Sequence, residues 1–121
     1  MTNAINWVEI PAVDIERAAA FYSKLYATDL KVVDGGVRKL VILPYDNGGV
    51  GASINQTDNF PPGTQGPLVY LNAGQDLTPM LNRVEPAGGR IIVPKSDLGG
   101  NGFYAIFHDS ENNRVALMSA T

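Results

Sequence analysis

Trp7 and Glu9 stand two positions apart in the stretch Asn6–Ile10. Side chains alternate along an extended strand, so the indole and the carboxylate share a face. A carboxylate enclosed beside an indole loses solvation of its charged form and can act as a general acid or base. Left open, it instead pairs with a cation across the sheet, for which Arg38, Lys39 and Arg114 are the candidates. Tyr70 and Asn72 repeat the two-residue spacing, as do Arg114, Ala116 and Met118. With Tyr104, these residues make a set of aromatic and small polar side chains of the kind that lines a small-molecule pocket. The same aromatics would equally well fill a core. Ser53 has no His–Asp partner set, which leaves nucleophilic catalysis unsupported. His108 is the one histidine; it lies beside a turn with no second ligand in view and reads as structural. The absence of cysteine excludes disulfides, thiol nucleophiles and Cys-ligated metals. Gly99, Gly100 and Gly102 do not make a phosphate-cradling GxGxxG and read as a mobile lip over a pocket.

The elements that must position these residues occur twice. Residues 6–30 give a short apolar strand, an Asp and an amphipathic helix, and residues 68–93 give the same order followed by a strand. Asp14 and Asp76 are 62 positions apart (76 − 14), about half of the 121 residues. Such a repeat predicts two small modules with a cleft where they meet. In the first module, Asp14 caps a helix whose apolar side is Ile15, Ala18, Ala19, Tyr22, Leu25 and Tyr26, ending near Ala27. Pro11 ends the strand before it. Strands follow at 30–33, 39–43 and 50–55, separated by the turns Asp34-Gly35-Gly36 and Asp46-Asn47-Gly48. Residues 56–66 form the linker. In the second module, a strand at 68–71 leads to Asp76 as a cap, with Pro79 in the first helical turn and Gly88-Gly89 past the end. Strands follow at 90–93, 103–108 and 114–118, with a glycine-rich loop over 94–102 and a turn over 109–113. Asp14, Asp76 and Asp109 thus read as caps and turn-makers.

Composition bounds the function. A chain of 121 residues with 45% hydrophobic and 17% charged residues predicts one folded domain, 1–121, with modules at about 4–56 and 66–119. The net charge of −3 and the scatter of nine Lys and Arg exclude a phosphate-backbone binder, so no nucleic-acid partner is expected. No apolar run is long enough for a membrane span, and the first ten residues lack a signal-peptide pattern, so the expected compartment is the cytoplasm.

The stretches VEIPAVDIERAAAFY, GPLVYL, EPAGGRIIVPK and FHDSENNRVALMS, in that order, resemble the vicinal oxygen chelate superfamily of glyoxalases, bleomycin resistance proteins and extradiol dioxygenases. The resemblance runs from about Ile5 to Met118. It implies an α+β fold of two βαβββ modules forming a half-open barrel around a pocket. Metal-binding members hold a divalent ion with His, Glu or Gln at four strand positions, which fall here on Trp7, on or next to Leu68, on Ala116, and near Ser53 or Ile54. None is a good ligand for such a cation. The resemblance therefore implies a small-molecule-binding protein related to lactoylglutathione lyase, without metal or other cofactor. Its pocket is lined by Trp7, Ser53, Tyr70, Asn72, Tyr104 and Met118. The alternative is a lyase or isomerase acting on a small carbonyl compound, with Glu9 as general acid or base. The resemblance and the open sheet edges also imply a homodimer.

Overall fold

The computed structural model describes residues 3–121. Each half runs strand, helix, three strands, as the repeat predicts. The first half holds β1 (Trp7–Pro11), α1 (Ile15–Tyr26), β2 (Val33–Asp34), β3 (Lys39–Ile42) and β4 (Gly51–Gln56). The second holds β5 (Val69–Asn72), α2 (Thr78–Val84), β6 (Arg90–Asp97), β7 (Phe103–His108) and β8 (Arg114–Ser119). Two four-stranded sheets result, with orders β1-β4-β3-β2 and β5-β8-β7-β6. The architecture is α+β, and the sheets are not closed into a barrel. In each sheet the first strand lies parallel to the last, at the sheet end.

The helix α1 begins where Asp14 accepts from the amides of Glu16 and Arg17, satisfying two of the free donors of the first turn. It ends at Ala27, whose φ of 53° is left-handed. Its inward face (Ile15, Ala18, Ala19, Phe21, Tyr22 and Leu25) is buried. The core continues into Leu77, Leu81 and Val84 of the second helix region and Phe107, Val115 and Leu117 of the second sheet. Along each strand the alternate residues, such as Val8, Ile10, Ile54 and Leu71, pack toward the helices.

The turn between β7 and β8 ties the modules together. Glu111 accepts from the amides of Val13 and Asp14 at 2.9 and 2.8 Å and from Arg17 Nε at 2.6 Å. Asp109, 4% exposed, accepts from the Tyr22 hydroxyl at 2.6 Å. Asn113 donates to the Pro11 carbonyl at 2.7 Å. A segment of the second module therefore caps the first helix and strand of the first.

Several boundaries differ from the sequence expectation, each for a local reason. The strand expected over 30–33 shrinks to Val33–Asp34, because the Leu30 amide is spent on Ser23 Oγ at 3.0 Å. Pro11 falls inside β1, where an end strand needs no donor at that position. The cap position of α2 is Leu77, although Asp76 still accepts from the Thr78 amide at 2.9 Å. The first four residues of the expected loop over 94–102 are strand. The strand β6 runs to Asp97 with register shifts on either side of Val93, and an irregular end strand tolerates Pro94.

Candidate functional site

A cleft of about 1200 Å³ runs along the unpaired edges of β1 and β5. Trp7 and Glu9 line it from β1, Tyr70 and Asn72 from β5, with Tyr45 and the linker residue Phe60 completing an aromatic rim. Trp7 and Tyr45 meet edge to face, with ring centroids 5.5 Å apart at 85°. This corner requires a glycine beneath it. A Cβ at Gly51 would lie 2.7 Å from Trp7 Cζ3 and 2.8 Å from Tyr45 Cδ1.

Strand register places Trp7 and Glu9 on one face of the first sheet with Ser53 and Asn55 of β4 and Leu40 and Ile42 of β3. The polar members form a chain. Arg38 pairs with Glu9 and also donates to Asn55 Oδ1 from Nε at 3.3 Å and Nη2 at 3.0 Å. Asn55 Nδ2 donates to Ser53 Oγ at 2.8 Å, and Trp7 Nε1 donates to the same oxygen at 3.2 Å. Ser53 and Asn55 are 2% and 0% exposed, whereas Glu9 and Arg38 side chains are 41% and 42% exposed. The enclosure that would suit Glu9 to proton transfer is therefore absent, and of the two readings of this residue the geometry realises the cross-sheet pair.

The residues singled out in the sequence separate into two groups. Trp7, Glu9, Tyr70 and Asn72 line the cleft. Ser53 sits behind Trp7, in contact with its indole nitrogen. Tyr104 and Met118 face each other on β7 and β8, on the same side of the second sheet as Asn72 but outside the cleft lining. His108 pairs in register with Arg90 and Arg114 and also lies outside it. Gly99, Gly100 and Gly102 line no part of the cleft; they close a turn in which the Leu98 amide donates to the Gly102 carbonyl. The expected lip is thus a turn at the end of β6. Tyr45 and Phe60 were not foreseen. They lie in turn and linker segments, where no strand period assigns a face.

The register also tests the residues at the four chelating positions. The Ala12 amide donates to Asn55 O and the Ala73 amide to Met118 O, which superimposes the modules residue on residue. Counting back five residues from each alanine pairs Trp7 with Leu68, and counting back two from each acceptor pairs Ser53 with Ala116. An indole N–H, two alkyl side chains and one neutral hydroxyl do not fit a divalent cation. Among the described residues, no group of three or more His, Cys, Asp and Glu could hold a metal ion.

Three buried groups have shifted titration, and one of them lines the cleft. Burial, with the Asp109 charge and hydrogen bond, holds the Tyr22 hydroxyl well above its ordinary value. Burial pushes Tyr26, which lines the cleft, up to about 12. Burial also raises Asp109 against the pull of its hydrogen bonds.

A family model described as the Glyoxalase/Bleomycin resistance protein/Dioxygenase superfamily matches residues 4–117. The protein CFP32 of Mycobacterium tuberculosis is 29% identical over 121 residues, covering 95% of this chain and 45% of that protein. The chain thus spans about half the length of that relative. A glyoxylase-like domain-containing protein of Didymella fabae is 28% identical over 119 residues, covering 93% and 91% of the two chains. Among solved structures, a glyoxalase/bleomycin resistance protein of Albidiferax ferrireducens superimposes with a TM-score of 0.74 at 15% identity, covering 98% and 100%. At that identity the likeness establishes the fold alone.

Proposed function

The chain belongs to the glyoxalase/bleomycin resistance protein/dioxygenase superfamily, and from that premise we propose that it binds a small molecule, without a metal, in the cleft along β1 and β5. One observation carries this reading. The cleft of about 1200 Å³ is walled by the aromatics Trp7, Tyr45, Phe60 and Tyr70, with Glu9, Asp46, Gln65, Asn72, Asn113 and Arg114 supplying polar and charged groups among them. Trp7, Tyr70 and Asn72 are the contact residues, with Ser53 behind Trp7; Tyr104 and Met118 lie on the Asn72 side of the second sheet, outside the lining. The unpaired edges of β1 and β5 support a homodimer. Among the described residues no helix is long and apolar enough to cross a membrane. A cytoplasmic role accords with this reading.

Trp7 is the single tryptophan and reports on the cleft directly. Titration of purified protein with small aromatic compounds should change its fluorescence saturably, with no product formed. The rival reading is a lyase or isomerase using Glu9. Turnover of a 2-oxoaldehyde–thiol adduct that Glu9→Gln abolishes would establish it and displace the binding reading. Stoichiometric metal retained through dialysis would displace the metal-free reading.

A further inference from the structure

Arg90, His108 and Arg114 stand in one row across the second sheet. Arg90 of β6 pairs in register with His108 of β7, and His108 with Arg114 of β8. Register partners on neighbouring strands put their side chains on one face, with Cβ atoms about 5 Å apart. Two guanidiniums with an imidazole between them gather donors and positive charge, and a guanidinium has no acceptor atom with which to answer another. No acid answers them either. Among the described residues, none of the three is in an ion pair. The nearby carboxylates are committed elsewhere: Asp109 to Tyr22 and Asn113, Glu111 to Arg17, and Glu85 to the Ile91 amide.

The row is joined to the cleft. Arg114 lines it. By alternation Arg114 shares its face with Ala116, and Ala116 pairs in register with Tyr70, which lines the cleft as well. Two residues along a strand span about 7 Å, room for a ring with one substituent. Arg90 and Arg114 are exposed and His108 is half-buried, so all three can meet a ligand. The acids of the cleft lie on the first sheet: Glu9 is held by Arg38, and Asp46 belongs to the turn beside the Trp7–Tyr45 corner. We propose that Arg114, His108 and Arg90 form an oxyanion subsite on the second-sheet side of the cleft, which holds the carboxylate or phosphate of a small molecule whose ring lies against Tyr70. The Arg114 fork takes two oxygens side by side, and the His108 imidazole and Arg90 add donors along the row. This rests on the small-molecule reading above and names the ligand class for it.

Benzoate and benzamide have nearly the same shape and differ in charge, so they serve as probes, with phenyl phosphate and inorganic phosphate beside them. Each is titrated by calorimetry, with the Nε–H resonances of Arg90 and Arg114 followed in parallel. Benzoate binds about tenfold tighter than benzamide, the scale of a hydrogen bond to a charged group. It shifts the Arg114 resonance, and its advantage shrinks as salt is raised. The tighter of benzoate and phenyl phosphate tells whether the subsite is built for a carboxylate or a phosphate. Arg114→Gln abolishes the preference for the anion, and Arg90→Gln and His108→Gln each weaken it. Arg114→Lys, which keeps the charge without the fork, retains part of it. Benzamide binding as tightly as benzoate, or an unchanged preference in Arg114→Gln, overturns the subsite and leaves the pocket reading standing. Inorganic phosphate binding as tightly as phenyl phosphate shows an adventitious ion only and overturns the placement of the ring. Failure of every probe to saturate removes the pocket reading as well.

Discussion

At the scale of single residues, the candidate site depends on what Gly51 lacks. The rings of Trp7 and Tyr45 occupy the space a Cβ would need, at 2.7 and 2.8 Å. Gly51→Ala must displace at least one ring, and movement of either Trp7, 39% exposed, or Tyr45, 50% exposed, opens their edge-to-face contact and bares the indole. The expected outcome is a red-shifted Trp7 emission and a loss of about 1–2 kcal/mol, the usual scale of overpacking. Fluorescence and denaturant melts check both; unchanged emission would show that the corner is not built as described. Part of this chemistry was legible in the sequence. The two-residue spacing of Trp7 with Glu9 and of Tyr70 with Asn72 fixes their shared faces, because alternation is local. The choice of Arg38 over Lys39 and Arg114 as the partner of Glu9 was not legible. It depends on the β2–β3 turn folding back over β4, where Asn55 receives the same guanidinium.

At the scale of elements, the repeat was legible and the clamp between its copies was not. Helical spacing and the Asp14 cap mark α1 with nothing more than neighbouring residues. Glu111 caps the same helix from 97 and 98 positions away, and no local pattern announces such a contact. The far end of β6 was missed for the opposite reason. Pro94 and the glycines after it give a strong local loop signal, which pairing with β7 overrides at Ser96 and Asp97. The clamp has a pH dependence of definite sign. Burial opposes the Glu111 charge, but the Arg17 bond and the amides of Asp14 and Val13 outweigh it, and the group sits below its ordinary value. Its contribution is therefore complete at neutral pH and is lost as pH falls through the depressed folded value. Asp109 has the opposite sign: raised by burial, it favours the folded state at low pH and loses that advantage as pH rises through its folded value. Glu111→Gln should cost about 1.5 kcal/mol at pH 7, the scale of hydrogen bonds to a charged group, and the deficit should shrink as the solution is acidified. Urea melts at pH 7 and in the acid range test this; a deficit independent of pH would show that the Glu111 charge does not hold the clamp.

At the scale of the whole molecule, the question is whether the two modules unfold as one. The buried core passes from α1 to Leu77, Leu81 and Val84 and on into the second sheet without a break. Tyr22 of α1 reaches across this boundary to Asp109 in a buried bond of 2.6 Å. A boundary sealed in this way should not open with either module intact, and alkaline titration can show it. Tyr22 is held well above its ordinary value by burial and by Asp109, and Tyr26 is raised to about 12 by burial. A phenol whose folded value is raised contributes stability that is complete below its unfolded value of about 10 and is lost as pH rises through the folded value. Stability should thus hold to about pH 10 and fall beyond it. Tyr26 should ionise late, near its raised value, and Tyr22 only as the chain unfolds. Tyrosine absorbance and far-ultraviolet dichroism, recorded together against pH, should then share one late transition. Tyr22→Phe should lower stability at neutral pH by about 1–2 kcal/mol, since Asp109 loses a buried donor, and should make the alkaline fall less steep. Two separate dichroism steps, with Tyr22 ionising in only one, would instead show modules that fold independently, and the cleft along β1 and β5 would then lie between parts free to separate.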